Sequence, residues 1–137
     1  MEIIKNHEPI PFAIHIKAED LVNNKTEWFT QNEMGLQVAG CHYDKGKEFA
    51  SHKHIFRERV YEYTQEVVVI IKGELLVSIY DRKDELMSML HLKAGDIGIF
   101  LQGGYGYKVI DDDTLYYEIK NGPFVGVKED KALIQWK

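Results

Sequence analysis

The chain has 137 residues, of which 45% are hydrophobic and 28% charged, with a formal net charge of -5 at pH 7. This length fits one domain with its own core, and we expect residues 1–137 to form it. Because no basic excess is available to neutralise phosphates, nucleic acid is excluded as an expected partner.

The first thirty-odd residues are polar with scattered apolar positions, which predicts an edge strand or an arm over about residues 1–34. Ala18–Val22 predicts a turn of helix at most. From about residue 35 to 120, short apolar runs alternate with turn residues, a pattern typical of antiparallel β-structure. The predicted strands are Leu36–Tyr43, Glu66–Ile71, Leu75–Tyr80, Leu86–Leu92, Ile97–Leu101, Tyr107–Ile110 and Leu115–Lys120.

The spacing of these strands, at about 8–12 residues with turn signals between them, is typical of a sandwich or barrel. We predict an all-β fold of antiparallel strands, a sandwich or a barrel, with its core over about residues 35–120. The last two strands are predicted to pair across Asp111-Asp112-Asp113. Exposed sheet edges need cover, and pairing of an N-terminal strand with a second subunit would supply it, so a homodimer is expected.

The compartment is predicted from cysteine usage and hydropathy. Cys41 is the single cysteine, which excludes an internal disulfide and favours the reducing cytoplasm. The N-terminus has no basic region followed by an apolar stretch, so no secretory signal is expected. The longest uninterrupted apolar run, Val67–Ile71, is far too short to span a bilayer, and no membrane association is expected.

His52-Lys53-His54 is the first candidate for a chemical site. On a strand, residues i and i+2 point to the same face, so the two imidazoles would lie about 7 Å apart along the backbone. Imidazole is a common metal ligand, and such a pair can bind one ion together. Two solvated or barrel-lining histidines without metal are the alternative.

The residues around this pair resemble the cupin superfamily. The first cupin motif is a glycine, five residues, His-x-His, a few residues, a glutamate, six residues and a glycine. The residues that fit this motif are Gly46, His52, His54, Glu66 and Gly73. The resemblance covers about residues 36–120 and implies a cupin fold, a jelly-roll barrel also called a double-stranded β-helix.

The second cupin motif is matched in part. Gly95 and Gly103 fit its two glycines, whereas Leu101 replaces its proline. Its last histidine is missing. In cupins with a Gly-Gly-His-Gly corner, that histidine would match Tyr105, and we interpret the tyrosine as its replacement.

The position of the motif glutamate is open between two residues. Eleven residues separate His54 from Glu66, whereas cupins usually have three or four at this point. Glu58 lies at the usual distance, but no glycine follows it seven residues later. Glu66 begins a strand-turn-strand segment and is favoured, which makes residues 55–65 a loop at the barrel mouth.

The resemblance implies a metal site formed by His52, His54, Glu66 and Tyr105. Two histidines and a carboxylate with open positions suit a divalent ion, and iron, zinc, manganese or nickel is the expected cofactor. Tyrosine binds metal well only as phenolate, and its reference pKa is near about 10, so Tyr105 is either a ligand to a hard ion or a hydrogen-bond donor. A decayed site without metal is the alternative.

Further candidates surround this set. Arg57 and Arg59 lie in the predicted mouth loop and could clamp a carboxylate or phosphate, although solvated surface arginines are the commoner case. With Tyr107 they form the candidate ligand-binding residues. Glu118 alternates with Lys120 along one predicted strand and joins Glu66 and Tyr105 as a catalytic candidate, with a solvated pair as the alternative.

The resemblance implies a small polar ligand, a sugar or nucleotide-sugar of surface-carbohydrate biosynthesis. Asn121-Gly122-Pro123-Phe124 is similar to the end of such cupins. One hypothesis is a metal-dependent isomerase, epimerase or dioxygenase. The second is a non-catalytic cupin that binds a small ligand with a degenerate or absent metal site. The third is a structural protein whose barrel face dimerises.

Overall fold

The computed structural model describes residues 1–134, and these form ten strands, one 3-10 turn at Ala18–Asp20 and one short helix, α1 (Val127–Asp130). In these residues, no helix has both the length and the hydropathy needed to cross a membrane. The strands are β1 (Glu2–Ile4), β2 (Ala13–Ile16), β3 (Lys25–Trp28), β4 (Ala39–His42), β5 (Glu66–Lys72), β6 (Glu74–Tyr80), β7 (Leu86–Lys93), β8 (Ile97–Phe100), β9 (Gly104–Val109) and β10 (Leu115–Lys120).

The ten strands form three sheets, and every pair of neighbours is antiparallel. The large sheet has the order β1-β2-β8-β5-β10, the second has the order β7-β6-β9, and β3 pairs with β4 alone. The prediction of an all-β antiparallel fold is confirmed. Over residues 1–134 the sheets remain separate and do not close into a barrel.

Each strand predicted over residues 35–120 overlaps one of β4 to β10, whereas β3 was not predicted. In β6, the alternate residues Leu75, Val77 and Ile79 are buried, which is the period of two that a half-buried strand requires. Gly73 joins β5 to β6 with φ of 76°, and a Cβ at this position would collide with Thr114. The tight turn therefore requires glycine.

Two cores lie on opposite faces of the five-stranded sheet. One lies between this sheet and the three-stranded sheet, and the other lies beneath residues 21–38. Because side chains alternate along a strand, Glu66 of β5 shares a face with Val68 and Ile70, which point into the first core. The first core contains Val68, Ile70, Leu75, Val77, Ile79, Leu90, Leu92 and Phe100, and the second contains Ile14, Ile16, Met34, Val67, Ile99 and Leu101.

The N-terminal region contributes to the large sheet. All four residues of β2 are buried, and β2 lies between β1 and β8. Its His15 is buried against Asp96, with 2.8 Å between Nε2 and Oδ2. Part of the predicted arm is thus an inner strand of the sheet.

The strand geometry considered for the histidine pair is absent, and one predicted strand pairing was wrong. His52–His54 lies in the segment 43–65, which contains neither strand nor helix. The predicted hairpin of the last two strands does not form, because β9 pairs with β6 and β10 pairs with β5. The turn at Asp111–Asp113 reverses the chain, but packing against distant strands decides the partners, and a turn signal carries no information on that.

Candidate functional site

A cleft of about 1050 Å³ lies beside β6, β9, β10 and the C-terminal segment 129–134. Four of the residues predicted from sequence to act at the site line it together. Glu66, Tyr105, Tyr107 and Glu118 come from three different strands, so only the folded chain brings them to one place.

Glu66 and two tyrosines form the centre of the cleft wall, and we call these three residues the Glu66 cluster. The Tyr105 hydroxyl donates a hydrogen bond to Oε2 of Glu66 at 3.0 Å, and the Tyr107 hydroxyl donates one to Oε1 at 2.5 Å. The Glu66 side chain is only 3% exposed. Hydrogen bonds to an ionised acceptor are stronger than neutral ones, so the pair holds the carboxylate firmly.

Strand geometry explains why the two tyrosines converge. Tyr105 and Tyr107 are separated by one residue on β9 and therefore share a face. The Tyr105 ring stacks on Phe100 with 4.6 Å between centroids, and Phe100 lies opposite Glu66 in the β5–β8 register. The buried Phe100 ring thus positions Tyr105, and Tyr105 in turn contacts the Glu66 carboxylate.

The start of β5, from which the Glu66 side chain projects, is fixed by Gln65. The Gln65 backbone N–H donates to Oδ1 of Asn121 at 2.7 Å, and its side-chain amide donates to the carbonyl of Leu101 at 3.2 Å. Its side-chain oxygen accepts a hydrogen bond from the backbone N–H of Leu36 at 2.9 Å. Three distant segments therefore anchor the residue immediately before Glu66.

The environment keeps both tyrosine hydroxyls protonated. Burial raises the pKa of Tyr105 well above its ordinary value, and the negative charge of Glu66 and the hydrogen bond to it raise it further. Burial also raises the pKa of Tyr107, together with its hydrogen bond to Glu66 and the charge of that residue. Both hydroxyls are therefore donors at neutral pH, and the phenolate form of Tyr105 is disfavoured.

The two histidines of the first motif lie outside the cleft. His52 and His54 are exposed, and their ring centroids are 5.4 Å apart in an edge-to-face arrangement. Nδ1 of His52 lies 3.1 Å from the carbonyl oxygen of Ala50. Apart from these contacts with each other and with Ala50, both imidazoles are exposed.

The four residues expected to bind a metal do not fit one ion where the structure places them. Within the described part of the chain, no three His, Cys, Asp or Glu side chains are grouped closely enough to hold a metal. His52 and His54 are exposed, whereas Glu66 is buried with each oxygen accepting a tyrosine hydroxyl. The structure brings Glu66 and Tyr105 together and leaves both histidines away from them. Metal binding therefore stays a prediction.

The remaining predicted residues also divide into those that line the cleft and those that are exposed in the segment 43–65. Arg57 and Arg59 are exposed in the segment 43–65 and do not line the cleft. Of the two glutamates considered for the motif, Glu66 lines the cleft and Glu58 is exposed in that segment.

Several cleft residues were not predicted from sequence. Ser78 and Lys108 belong to predicted strands, but nothing in the strand pattern distinguishes cleft-lining from solvated positions. Asp130 accepts a hydrogen bond from Thr64 at 2.9 Å and lies 4.0 Å from Nζ of Lys120. It follows the predicted barrel core, and no motif in the sequence indicates its place.

A comparison of the chain with protein-family models, with curated proteins and with solved structures found no match.

Proposed function

We propose that this protein binds a small molecule with several hydroxyl groups, of the sugar class, in the cleft beside Glu66. The observation that carries the proposal is the Glu66 cluster: a buried carboxylate oriented by two protonated tyrosines at the wall of a cavity of about 1050 Å³. Ligand sites are typically cavities with a few well-placed polar groups among apolar and aromatic ones.

The chemistry of the cleft supports a sugar over a nucleotide-sugar. Carboxylate oxygens accept hydrogen bonds from ligand hydroxyls, tyrosine hydroxyls both donate and accept, and tyrosine rings offer apolar faces. Among residues 1–134, five acidic residues and two lysines line the cleft, so negative charge is in excess and would repel a diphosphate. These residues are Glu62, Glu66, Glu118, Glu129 and Asp130, with Lys108 and Lys131.

We also propose that the sheets belong to a cupin-type jelly roll. The support comes from the glycines of the two motifs, since all four have the positive φ that favours glycine. At Gly103, a Cβ would collide with the carbonyl of Tyr80, which adds a steric reason. The four glycines and their φ values are Gly46 (95°), Gly73 (76°), Gly95 (91°) and Gly103 (68°).

The binding proposal is tested by amide and side-chain NMR of the whole chain during titration with neutral, amino and acidic monosaccharides. We expect shifts confined to the cleft, at Gly104, Gly106 and the rings of Tyr105 and Tyr107. Tyr107→Phe should weaken binding, and Tyr117→Phe, at an exposed tyrosine outside the cleft, should not. Shifts that avoid the cleft with every sugar would overturn the proposal.

A metal-dependent cupin enzyme is the second candidate function. The observation in its favour is that the His52 and His54 rings lie 5.4 Å apart on a segment that leads into Glu66. Eleven residues can span up to about 36 Å, so the chain length permits the histidines to approach the cleft.

Zinc titration of the apo-protein separates the two candidates. A centre shared by the histidines and the cleft predicts that both His52→Ala and Glu66→Gln weaken zinc binding about tenfold or more. Weaker binding in His52→Ala alone would leave the histidines as a surface pair. Zinc binding that neither variant changes would remove this candidate.

A homodimer is also proposed, because β10 is an edge strand of the large sheet and its exposed residues include Leu115, Tyr117 and Ile119. Sedimentation velocity across a concentration series tests it. A single monomeric species at every concentration would contradict the dimer.

A further inference from the structure

Within the described residues 1–134, the Glu66 carboxylate is buried and has no cationic partner. Its side chain is 3% exposed, and it belongs to none of the ion pairs found among residues 1–134. Lys120 lies opposite Glu66 in the β5–β10 register, but its Nζ pairs with Asp130. Burial of a charge is costly unless it is paired, so this site favours an incoming cation.

The carboxylate also retains hydrogen-bonding capacity. Each of its two oxygens accepts one tyrosine hydroxyl, from Tyr105 and from Tyr107. An ionised carboxylate has about four lone-pair sites, so roughly two remain for a ligand. The tyrosines hold the carboxylate in place, and neither of them is a cation.

The rest of the cleft reinforces the preference for positive charge. Glu118 and Asp130 line it, and the charge of each raises the pKa of Tyr105, which places their negative potential at the cluster. The Tyr105 and Tyr107 rings are stacked with 5.7 Å between centroids. This packing orders both hydroxyls at Glu66, so the acidic side chains are the groups that favour a cation.

From this unpaired carboxylate in an acidic, tyrosine-lined cleft, we propose that the ligand carries a protonated amine, and that its ammonium group binds Glu66. The ligand class is an amine-bearing polyol such as an amino sugar. This inference rests on the proposed function and deepens it, because it names the charge by which the cleft selects among polyhydroxylated molecules.

The test uses three probes with the same ring and different charge, namely glucosamine, glucose and glucuronate. Affinities are measured by calorimetry and NMR titration on the full chain at pH of about 6, where a primary amine is protonated. We expect glucosamine to bind about tenfold or more tighter than glucose, the size of a charge-assisted contact, and glucuronate to bind weakest.

Two variants identify the side chains that cause the preference for glucosamine over glucose. Glu66→Gln keeps the shape of the side chain and should bring the affinities for glucosamine and glucose to within about twofold of each other. Glu118→Gln, at an exposed position of β10, should reduce the preference less and keeps the readout available should Glu66→Gln unfold. Glu58→Gln is the matched control, since this glutamate is exposed and outside the cleft.

The outcomes are distinct. Equal binding of glucosamine and glucose in the cleft overturns this inference and leaves the proposed function standing. A preference for glucosamine that both Glu66→Gln and Glu118→Gln leave unchanged also overturns it. No binding of any probe in the cleft overturns the inference and the proposed function together.

Discussion

The segment 43–65 and the Glu66 cluster are adjacent in the chain and have opposite physical character. Residues 43–65 form no strand or helix, and large apolar side chains such as Phe56, 91% exposed, face solvent. The next residue, Glu66, begins a strand, is 3% exposed and accepts two tyrosine hydrogen bonds. The first region carries the motif histidines and the two arginines, and only Glu62, Tyr63 and Thr64 at its end line the cleft, whereas the second forms the centre of the cleft wall.

This difference shows that a motif's residue types do not by themselves place its side chains. A carboxylate on a strand is positioned by the ladder hydrogen bonds and by the core below it. The imidazoles of His52 and His54 have no such support, because residues 44–64 are all exposed and belong to no ladder. A stretch of this kind has many conformations of similar free energy. The predictions below test whether the two regions differ as the structure indicates.

Amide hydrogen exchange should show the largest contrast. Amides of Val67–Ile70 in β5 should exchange at least about 1000-fold more slowly than those of residues 52–60, relative to their intrinsic rates. The central ladder opens only on global unfolding, whereas the segment has no ladder to open. Exchange read by mass spectrometry on peptides of both regions measures it, and strong protection at 52–60 would mean that the segment is ordered.

A matched pair of phenylalanine substitutions should show a large difference in the free energy of unfolding. Phe100→Ala removes a side chain that is 1% exposed and should lower the free energy of unfolding by about 3–5 kcal/mol. Phe56→Ala removes one that is 91% exposed and should change it by less than about 0.5 kcal/mol. Urea denaturation followed by circular dichroism measures both, and a similar loss in the two variants would contradict the burial difference.

Removal of one hydroxyl from the Glu66 cluster should have a smaller effect. Tyr107→Phe should lower the free energy of unfolding by about 1.5–3 kcal/mol, because the charged acceptor Glu66 loses a donor. The same change at Tyr117, which is 60% exposed, is the control and should have almost no effect. If Tyr107→Phe matches the control, the hydrogen bond does not form in solution.

Alkaline pH should weaken the cluster gradually. The pKa values of Tyr105 and Tyr107 are raised in the folded state, whereas an unfolded tyrosine titrates near about 10. Their contribution to stability is therefore complete below pH of about 10 and is lost as pH rises through the folded-state values, because the unfolded chain releases its protons first.

Between pH of about 9 and 11, the wild type should thus lose more unfolding free energy than the Tyr105→Phe/Tyr107→Phe variant. Denaturant titrations at each pH measure the difference, and lysine titration contributes equally to both proteins. Parallel losses in the two proteins would indicate that these tyrosines titrate normally.

Much of the fold could be predicted from local pattern. The valine and isoleucine run of β5 and the period-two burial of β6 follow from the amino-acid sequence, because strand side chains alternate between faces whatever their partners. Gly73 and Gly95, both at positive φ, mark turns that a side chain would strain. Glu66 and Tyr105 could also be selected as site residues, since each matches a motif position.

Which strands pair, and which side chains are buried, depended on the tertiary structure. The sequence alone determined that this chain forms antiparallel strands joined by tight turns and which polar residues are candidates for chemistry. Only the folded chain decided that β9 pairs with β6, that Glu66 meets Tyr105 and Tyr107 in one cleft, and that His52 and His54 lie outside it. The physical reason is that strand pairing and burial are set by contacts between residues far apart in the chain, and no local pattern encodes them.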